Sequence, residues 1–209
     1  MDKTILRDLS YGMYIVGAKS EKDVGCVANT VMQITNDPMT IAVSINHDNY
    51  TNKAIKESKR FSVSILGEKI NPEIIGTFGY KSSVDINKYE NIEYFELEGM
   101  KVLKNACSAI VCEVIDTMET STHTVFLGKI VAMEKVTEDI PMTYKYYHEV
   151  LKGKSPEKAP TYIKEEVKES MEVAKWKCKI CGYVVEAENL PEDYVCPICG
   201  RPVSDFERV

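Results

Sequence analysis

The chain has 209 residues, 44% of them hydrophobic and 28% charged, and a formal net charge of −6 at pH 7. This composition is typical of a globular protein, and the length suffices for one ordinary domain and one small one. The negative charge argues against nucleic acid and anionic membranes as partners, and no apolar run approaches the ~18 residues of a membrane span.

Residues 11 to about 135 have the pattern of a mainly β domain, in which several segments alternate apolar and polar residues as half-buried strands do. The candidate strands are 13–17, 24–34, 40–46, 61–66, 108–116 and 124–136. Helices are predicted over 49–59 and 141–151, the second with Pro141 in its first turn. Many strands with few long helices favour an antiparallel barrel or sandwich.

The first domain is predicted to end near residue 163. Residues 152–162 are polar and contain prolines, which is typical of an extended strap. Residues 164–174 are charged, with little apolar surface, and are interpreted as a linker or a solvated helix. The predicted organisation is therefore a domain over 1–163, a linker over 164–174 and a small domain over 175–209.

The small domain contains two Cys-x-x-Cys pairs, each followed by a glycine. Such turns direct two thiolates toward one ion, and the glycine allows the positive φ that a tight turn needs. Two turns facing each other form a tetrahedral four-sulfur site suited to zinc or iron. The predicted ligands are Cys178, Cys181, Cys196 and Cys199.

The remaining three cysteines, Cys26, Cys107 and Cys112, show no pairing pattern. Unpaired cysteines fit a reducing compartment, where they pack in the core. The N-terminal sequence MDKTILRDLSYG lacks the apolar segment of a signal peptide. We therefore expect a cytoplasmic protein.

The choice of metal depends on the residues around the cysteines. WKCKICGY and DYVCPICG, followed by SDFERV, resemble the two metal-binding turns of rubredoxins. The resemblance implies iron, with Trp176, Tyr183 and Phe206 packed beside it. The sequence between the turns is shorter than in ordinary rubredoxins and is closer to the domain that ends rubrerythrins. A structural zinc ribbon carries the same spacing and remains the alternative.

The first domain has no Gly-x-Gly-x-x-Gly or P-loop motif for nucleotide phosphates. Three polar stretches could bind an anion instead: 27–46, 44–55 and 78–90. The second of these ends a strand and begins a helix, and backbone amides at a helix N-terminus attract anions. Each stretch taken alone is also compatible with a capped turn or a polar loop.

Taken in order, these stretches resemble the flavin reductase-like family of FMN-binding split barrels. The resemblance runs from LRDLSYGMYIV through ANTV, TIAVSIN and FSVSIL to STHTVFLGKIV and APTY. It implies an antiparallel, Greek-key barrel and a homodimer with FMN near the subunit interface. The implied FMN contacts are Asn29, Thr30, Gln33, Ser44, Ile45, Asn46, Thr51, Lys81, Ser82, His123 and Tyr162.

Within that set, Thr51, Lys81 and Ser82 are assigned to the phosphate, and His123 and Tyr162 to the border of the ring. His123 is the one catalytic candidate, and its expected role is to orient flavin or nicotinamide. Hydride transfer to a flavin needs no protein base. A histidine on an apolar strand is otherwise a residue with a structural role.

The two domains together resemble the high-molecular-weight rubredoxins. That resemblance implies electron flow from NAD(P)H through FMN and iron to an acceptor protein, which in that group is a flavodiiron oxygen or nitric oxide reductase. Three alternatives remain open. They are an NAD(P)H:flavin reductase with a structural zinc ribbon, a non-enzymatic FMN/iron carrier, and a binding module without flavin.

Overall fold

The computed structural model describes residues 3–155, 159–162, 175–187 and 189–209. Seven strands of the first domain form one antiparallel sheet in the order β2-β1-β5-β8-β9-β4-β3. Two further short strands, β6 and β7, pair with each other in a separate two-stranded sheet. The strands are β1 (Tyr14–Lys19), β2 (Asp23–Ala28), β3 (Val31–Asn36), β4 (Met39–Asn46), β5 (Arg60–Ile65), β6 (Tyr94–Leu97), β7 (Met100–Leu103), β8 (Ser108–Glu119) and β9 (His123–Lys135).

Helix α1 (Tyr50–Ser58) packs against the inner side of this sheet. Its N-terminus is capped by Asn49, whose side chain accepts a hydrogen bond from the Thr51 amide, as expected for a helix that follows a polar loop. Ala54 and Ile55 of the helix are buried with Val16, Phe61 and other inward residues of the strands. The resulting apolar core fills the barrel, and the antiparallel barrel predicted from the sequence is confirmed.

A second buried cluster lies outside the barrel, around α2 (Pro72–Tyr80) and α3 (Tyr144–Glu149). Asn71 caps α2 by accepting a hydrogen bond from the Glu73 amide. The same cluster includes the four cysteines of the C-terminal domain. The metal-site candidate is therefore packed against the barrel domain.

The C-terminal domain is a three-stranded antiparallel sheet in the order β11-β10-β12. Its strands are β10 (Lys175–Cys178), β11 (Val184–Glu186) and β12 (Phe206–Arg208). The predicted linker over 164–174 lies outside the described residues, so it stays a prediction. In the part of the chain that the structure describes, no helix is long and apolar enough to cross a membrane.

Three local predictions differ from the structure. The run 24–34 is two strands, because the chain leaves β2 at Ala28 and begins β3 at Val31. The helix predicted over 141–151 is restricted to Tyr144–Glu149, with Thr143 as its cap, and Pro141 lies in a bridge to Gly67. Helix α2 was not predicted, because two glycines interrupt its short helical pattern.

Candidate functional site

The four cysteines of the two Cys-x-x-Cys turns meet at one point. Their sulfur atoms all lie within 4.8 Å of one another. The Sγ atoms of Cys178 and Cys199 are 3.6 Å apart, and those of Cys181 and Cys196 are 3.5 Å apart. A tetrahedral ion with metal–sulfur bonds of ~2.3 Å places its ligands about 3.8 Å apart. The sulfurs are therefore spaced to hold one iron or zinc ion.

The backbone of each turn fixes this spacing. The Gly182 amide donates to Cys178 O at 2.8 Å, and the Gly200 amide donates to Cys196 O at 2.9 Å. Both glycines have positive φ, 74° and 68°, which another residue would adopt only with strain. The two turns are thus built alike from local sequence. Four buried sulfurs leave no ligand position open to a substrate, so the geometry suits electron transfer.

A cleft of about 3530 Å³ lies between the barrel and the C-terminal domain. Pockets that hold a single small ligand usually measure ~300–1,000 Å³, so this cleft has room for more than one. Nine of the eleven predicted flavin contacts line it: Asn29, Thr30, Ser44, Ile45, Asn46, Lys81, Ser82, His123 and Tyr162. On the opposite side the cleft is lined by Ile180, Cys181 and Tyr183.

The end of β2 and the strap over 159–162 form one wall of the cleft. Asn29 Nδ2 donates to Thr161 Oγ1 at 3.1 Å, and Thr161 Oγ1 in turn donates to the Tyr144 hydroxyl. Thr30 Oγ1 donates to Ser44 O at 2.8 Å, which ties the start of β3 to β4. These bonds place the Asn29, Thr30 and Tyr162 candidates around one opening, although they are far apart in sequence.

His123 stands at the first position of β9, where it pairs in register with Asn46 on β4. Its Nδ1 lies 2.8 Å from the Thr122 hydroxyl. Burial, and then the nearby charge of His47, lower the pKa of His123 below its usual 6.5. The imidazole is therefore neutral at pH 7 and can accept or donate one hydrogen bond at the cleft.

Two of the eleven predicted flavin contacts, Gln33 and Thr51, do not line this cleft. Gln33 is exposed on β3 and its Nε2 donates to Thr35 O, so the structure does not bring it to the cleft of its own chain. Thr51 is fully buried on α1. Within the described residues its Oγ1 has no hydrogen-bond partner, which is unusual for a buried hydroxyl.

Lys88 is a cleft residue that the sequence reasoning missed. It is 4% exposed, and its ammonium donates to Gly25 O at 2.8 Å and to Phe78 O at 3.0 Å. The Ser83 hydroxyl also donates to Gly25 O. No carboxylate of residues 3–155, 159–162, 175–187 or 189–209 forms an ion pair with Lys88. Burial lowers the pKa of Lys88 to about 8, because a charge without a counter-ion is costly to desolvate.

A buried cation and a buried hydroxyl at one site fit an anionic group. Lys88 and Thr51 both approach the thiol of Cys26, which lines the cleft: the Lys88 charge and the Thr51 hydroxyl oppose the burial that raises the Cys26 pKa. Asn49, the cap of α1, faces the same thiol. By contrast, Lys81 and Ser82 are exposed beyond the end of α2, and Ser82 Oγ accepts from the Val84 amide. The residues present therefore fit a flavin phosphate.

Two family models match the chain. The flavin reductase like domain matches residues 6–153, and the rubredoxin-like domain of rubrerythrin matches residues 176–207. The first family implies a flavin in the barrel, and the second implies iron at the four cysteines.

Individual relatives agree with these matches. The chain is 36% identical to the high molecular weight rubredoxin of Moorella thermoacetica over the whole of both chains. It is 37% identical to a ferric-chelate reductase (NAD(P)H) of Archaeoglobus fulgidus, over 78% of this chain and 98% of that one. Among solved structures, the NADH:FAD oxidoreductase SgcE6 of Streptomyces globisporus has a similar fold, with a TM-score of 0.63 at 17% identity, over 68% of this chain and 85% of that one.

Proposed function

This chain belongs to the flavin reductase-like family and carries the rubredoxin-like domain of the high-molecular-weight rubredoxins, and on that basis we propose that it passes electrons from NAD(P)H through FMN and an iron centre to an acceptor protein. It is an NAD(P)H-dependent oxidoreductase of this family, like the relative named ferric-chelate reductase (NAD(P)H). One observation carries the proposal: the flavin-contact candidates and Cys181 line the same cleft. A metal that served only to staple the C-terminal domain would not need to face a cofactor cleft.

Each group supplies a different part of the chemistry. A bound flavin can accept an electron pair as hydride and give up electrons singly, whereas four-thiolate iron exchanges one electron with little change in geometry. The residues of this chain bind and orient. Asn29 and Thr30 fix the opening through their bonds to Thr161 and Ser44, and His123 would border the ring as a neutral imidazole.

We assign the flavin phosphate to the pocket around Cys26, with Lys88 as its cation and Thr51 as its hydroxyl donor. The buried Lys88 charge and the buried Thr51 hydroxyl, both beside the Cys26 thiol, support this assignment. Lys81 and Ser82, named from the sequence, are retained as contacts at the exposed rim of the cleft. Charge-assisted bonds to phosphate are strongest where water is excluded, which favours the buried lysine.

Acceptor, oligomeric state and compartment complete the proposal. A flavodiiron-type protein is the proposed acceptor, supported by the resemblance to high-molecular-weight rubredoxins alone. A reducing cytoplasm is supported by Cys26, Cys107 and Cys112, which are free thiols buried in the first domain. A homodimer is supported by the outer face of the sheet.

That outer face carries an apolar patch, formed by Met32, Ile34, Met118, Val125 and Leu127. Met32 is 62%, Ile34 44% and Met118 59% exposed. Ile34, Met118, Val125 and Leu127 surround one shallow depression. Exposed apolar patches on a sheet face are typical of subunit interfaces.

Replacing Met118 with Asp is expected to convert the dimer to a monomer. A buried unpaired carboxylate at an apolar interface is costly, so the dissociation constant of the dimer should increase by about 100-fold or more. Light scattering coupled to gel filtration measures the mass. Ile140→Asp is the matched control, since Ile140 is 63% exposed outside the patch. Two equal masses for the two variants would argue against this interface.

We expect that titration of His123 causes no change in the rate of flavin reduction by NADH between pH 7 and 8.5. The pKa of His123 is lowered, so its ring is already neutral there and gains a proton only below its usual pKa. Stopped-flow reduction of the wild type and His123→Gln across this range tests it. A break above pH 7 that disappears in the variant would instead make His123 an acid or base in the reaction.

The proposed function is tested by an anaerobic visible spectrum before and after NADH is added. Flavin and ferric-thiolate bands that bleach together support the relay. Flavin bands alone, with zinc by elemental analysis, would make the protein a flavin reductase with a structural zinc ribbon. Flavin that NADH does not bleach would leave a carrier reduced by another protein, and a colourless protein would point to a binding module.

A further inference from the structure

The two metal-binding turns are alike in sequence but differ in exposure. Ile180 lies between Cys178 and Cys181, and Ile198 occupies the equivalent position between Cys196 and Cys199. Ile180 is 41% exposed, whereas Ile198 is 1% exposed. The backbones of the two turns are bonded in the same way, so their local structure does not explain the difference. The barrel domain therefore covers Ile198 of the second turn, whereas it leaves Ile180 of the first turn partly exposed.

Helix α2 provides that cover, and Gly76 lies at the contact. A Cβ placed on Gly76 would lie 2.4 Å from Ile198 O and 2.7 Å from Cys199 Cα. Both of those atoms are backbone, so they cannot move aside as a flexible side chain can. Glycine destabilises a helix interior relative to alanine, and its presence here is explained by this close approach.

The contact is apolar and continuous with the core of the first domain. Ile198 and Cys199 belong to the same buried cluster as Ile74, Ile75 and Phe78 of α2. Buried apolar area is the main source of favourable free energy in such contacts. An Ile side chain buried to this extent stabilises this position of the C-terminal domain.

This position also decides which side of the metal site faces the cleft. With the second turn on α2, the first turn presents Cys181 and Ile180 to the cleft. Tyr147 lies in the buried cluster together with Cys181 and also lines the cleft, and its hydroxyl is 3.2 Å from that of Tyr80. Electrons leaving the flavin would therefore reach the metal through the Cys181 side.

We propose that α2 is the docking surface for the second metal-binding turn of the chain's own C-terminal domain, and that Gly76 is the positioning residue that makes the docked state possible. The role of this docking in electron transfer rests on the proposed function. The docking itself is a physical contact that can be tested without it. In the docked state one electron would pass from reduced flavin to ferric iron, a transfer that needs no other reactant.

Gly76→Ala and Gly79→Ala form a matched pair on one helix. A Cβ at Gly79 would meet only Val27, at an ordinary 3.4 Å, so both changes favour the helix but only one obstructs docking. Small-angle scattering of the full-length, zinc-loaded proteins measures whether the C-terminal domain is docked. We expect a larger radius of gyration for Gly76→Ala and an unchanged one for Gly79→Ala.

Electron transfer gives a second readout with the iron-loaded proteins. For Gly76→Ala we expect the flavin to be reduced by NADH at the wild-type rate, and the iron to be reduced about tenfold more slowly, because only the tether then keeps the centres together. A role of Gly76 confined to the stability of α2 would not separate these two rates.

Ile198→Asp and Ile180→Asp provide a second pair should Gly76→Ala fail to fold. The two residues occupy equivalent positions, so only Ile198→Asp is expected to expand the molecule. Equal scattering within both pairs would overturn the docking proposal. Expansion of Gly76→Ala or Ile198→Asp alone would uphold the docking. If NADH nevertheless never reduced the iron of the wild-type protein, the proposed function would be rejected while the docking stood.

Discussion

Cys181→Ser is expected to yield a protein that retains flavin but contains no iron. A small domain with three short strands is too small to be stable through its own core, and metal binding supplies the free energy of folding. Apparent binding energies for structural four-ligand sites are about 10–16 kcal/mol at pH 7, so losing one thiolate should reduce the metal content from about one per chain to near zero. The ferric-thiolate bands should disappear, while NADH still bleaches the flavin.

Cys107→Ser is the matched control for this variant. Cys107 is as buried as the ligands, at 1% exposure, but it lies in the first domain, where its Sγ donates to Asp139 O. A serine can make the same bond, so metal content and both sets of bands should remain. Elemental analysis and the visible spectrum measure the result. Iron retained by Cys181→Ser would show that the site does not depend on four thiolates.

Lys88→Met is expected to weaken flavin binding by about 10- to 150-fold, which corresponds to the ~1.5–3 kcal/mol of a hydrogen bond to a charged group. Lys88 is the buried cation of the phosphate pocket, and methionine fills a similar volume without the charge. Flavin affinity is measured by fluorescence quenching on titration of the flavin-free protein with FMN. Lys81→Met, which removes an exposed cation at the rim, is expected to change the affinity by less than about threefold.

Lys88→Met should weaken FMN binding but stabilise the flavin-free fold near neutral pH. Burial lowers the pKa of Lys88 to about 8 from an unfolded value of 10.5, so the flavin-free folded state binds fewer protons than the unfolded state between those values. Its stability should rise as pH increases from 8 to about 10.5, and Lys88→Met should remove that rise. Chemical denaturation of the flavin-free proteins at pH 7.5 and 10 measures the free energy of unfolding.

In the affinity experiment, a Lys81→Met variant that binds FMN more weakly than Lys88→Met would return the phosphate to the site predicted from the sequence.

The sequence alone was sufficient for features that depend on neighbouring residues. Each metal-binding turn is determined by three or four consecutive positions and the glycine after them, so the four cysteines could be assigned to one site. Alternation of apolar residues likewise predicted β4, β5, β8 and β9, and the ordered motifs predicted the flavin reductase-like family that the comparisons confirm.

Features that bring distant residues together were decided by the tertiary structure. Lys88 is an ordinary lysine in a polar stretch, and only the approach of β2 and α1 makes it a buried cation beside Thr51. Ile180 and Ile198 are equivalent by sequence, and only contact with α2 distinguishes them. A local pattern fixes backbone turns and strand faces, because those depend on near neighbours. Burial, charge compensation and docking depend on what packs against a residue from elsewhere in the chain, and the sequence at that residue does not record it.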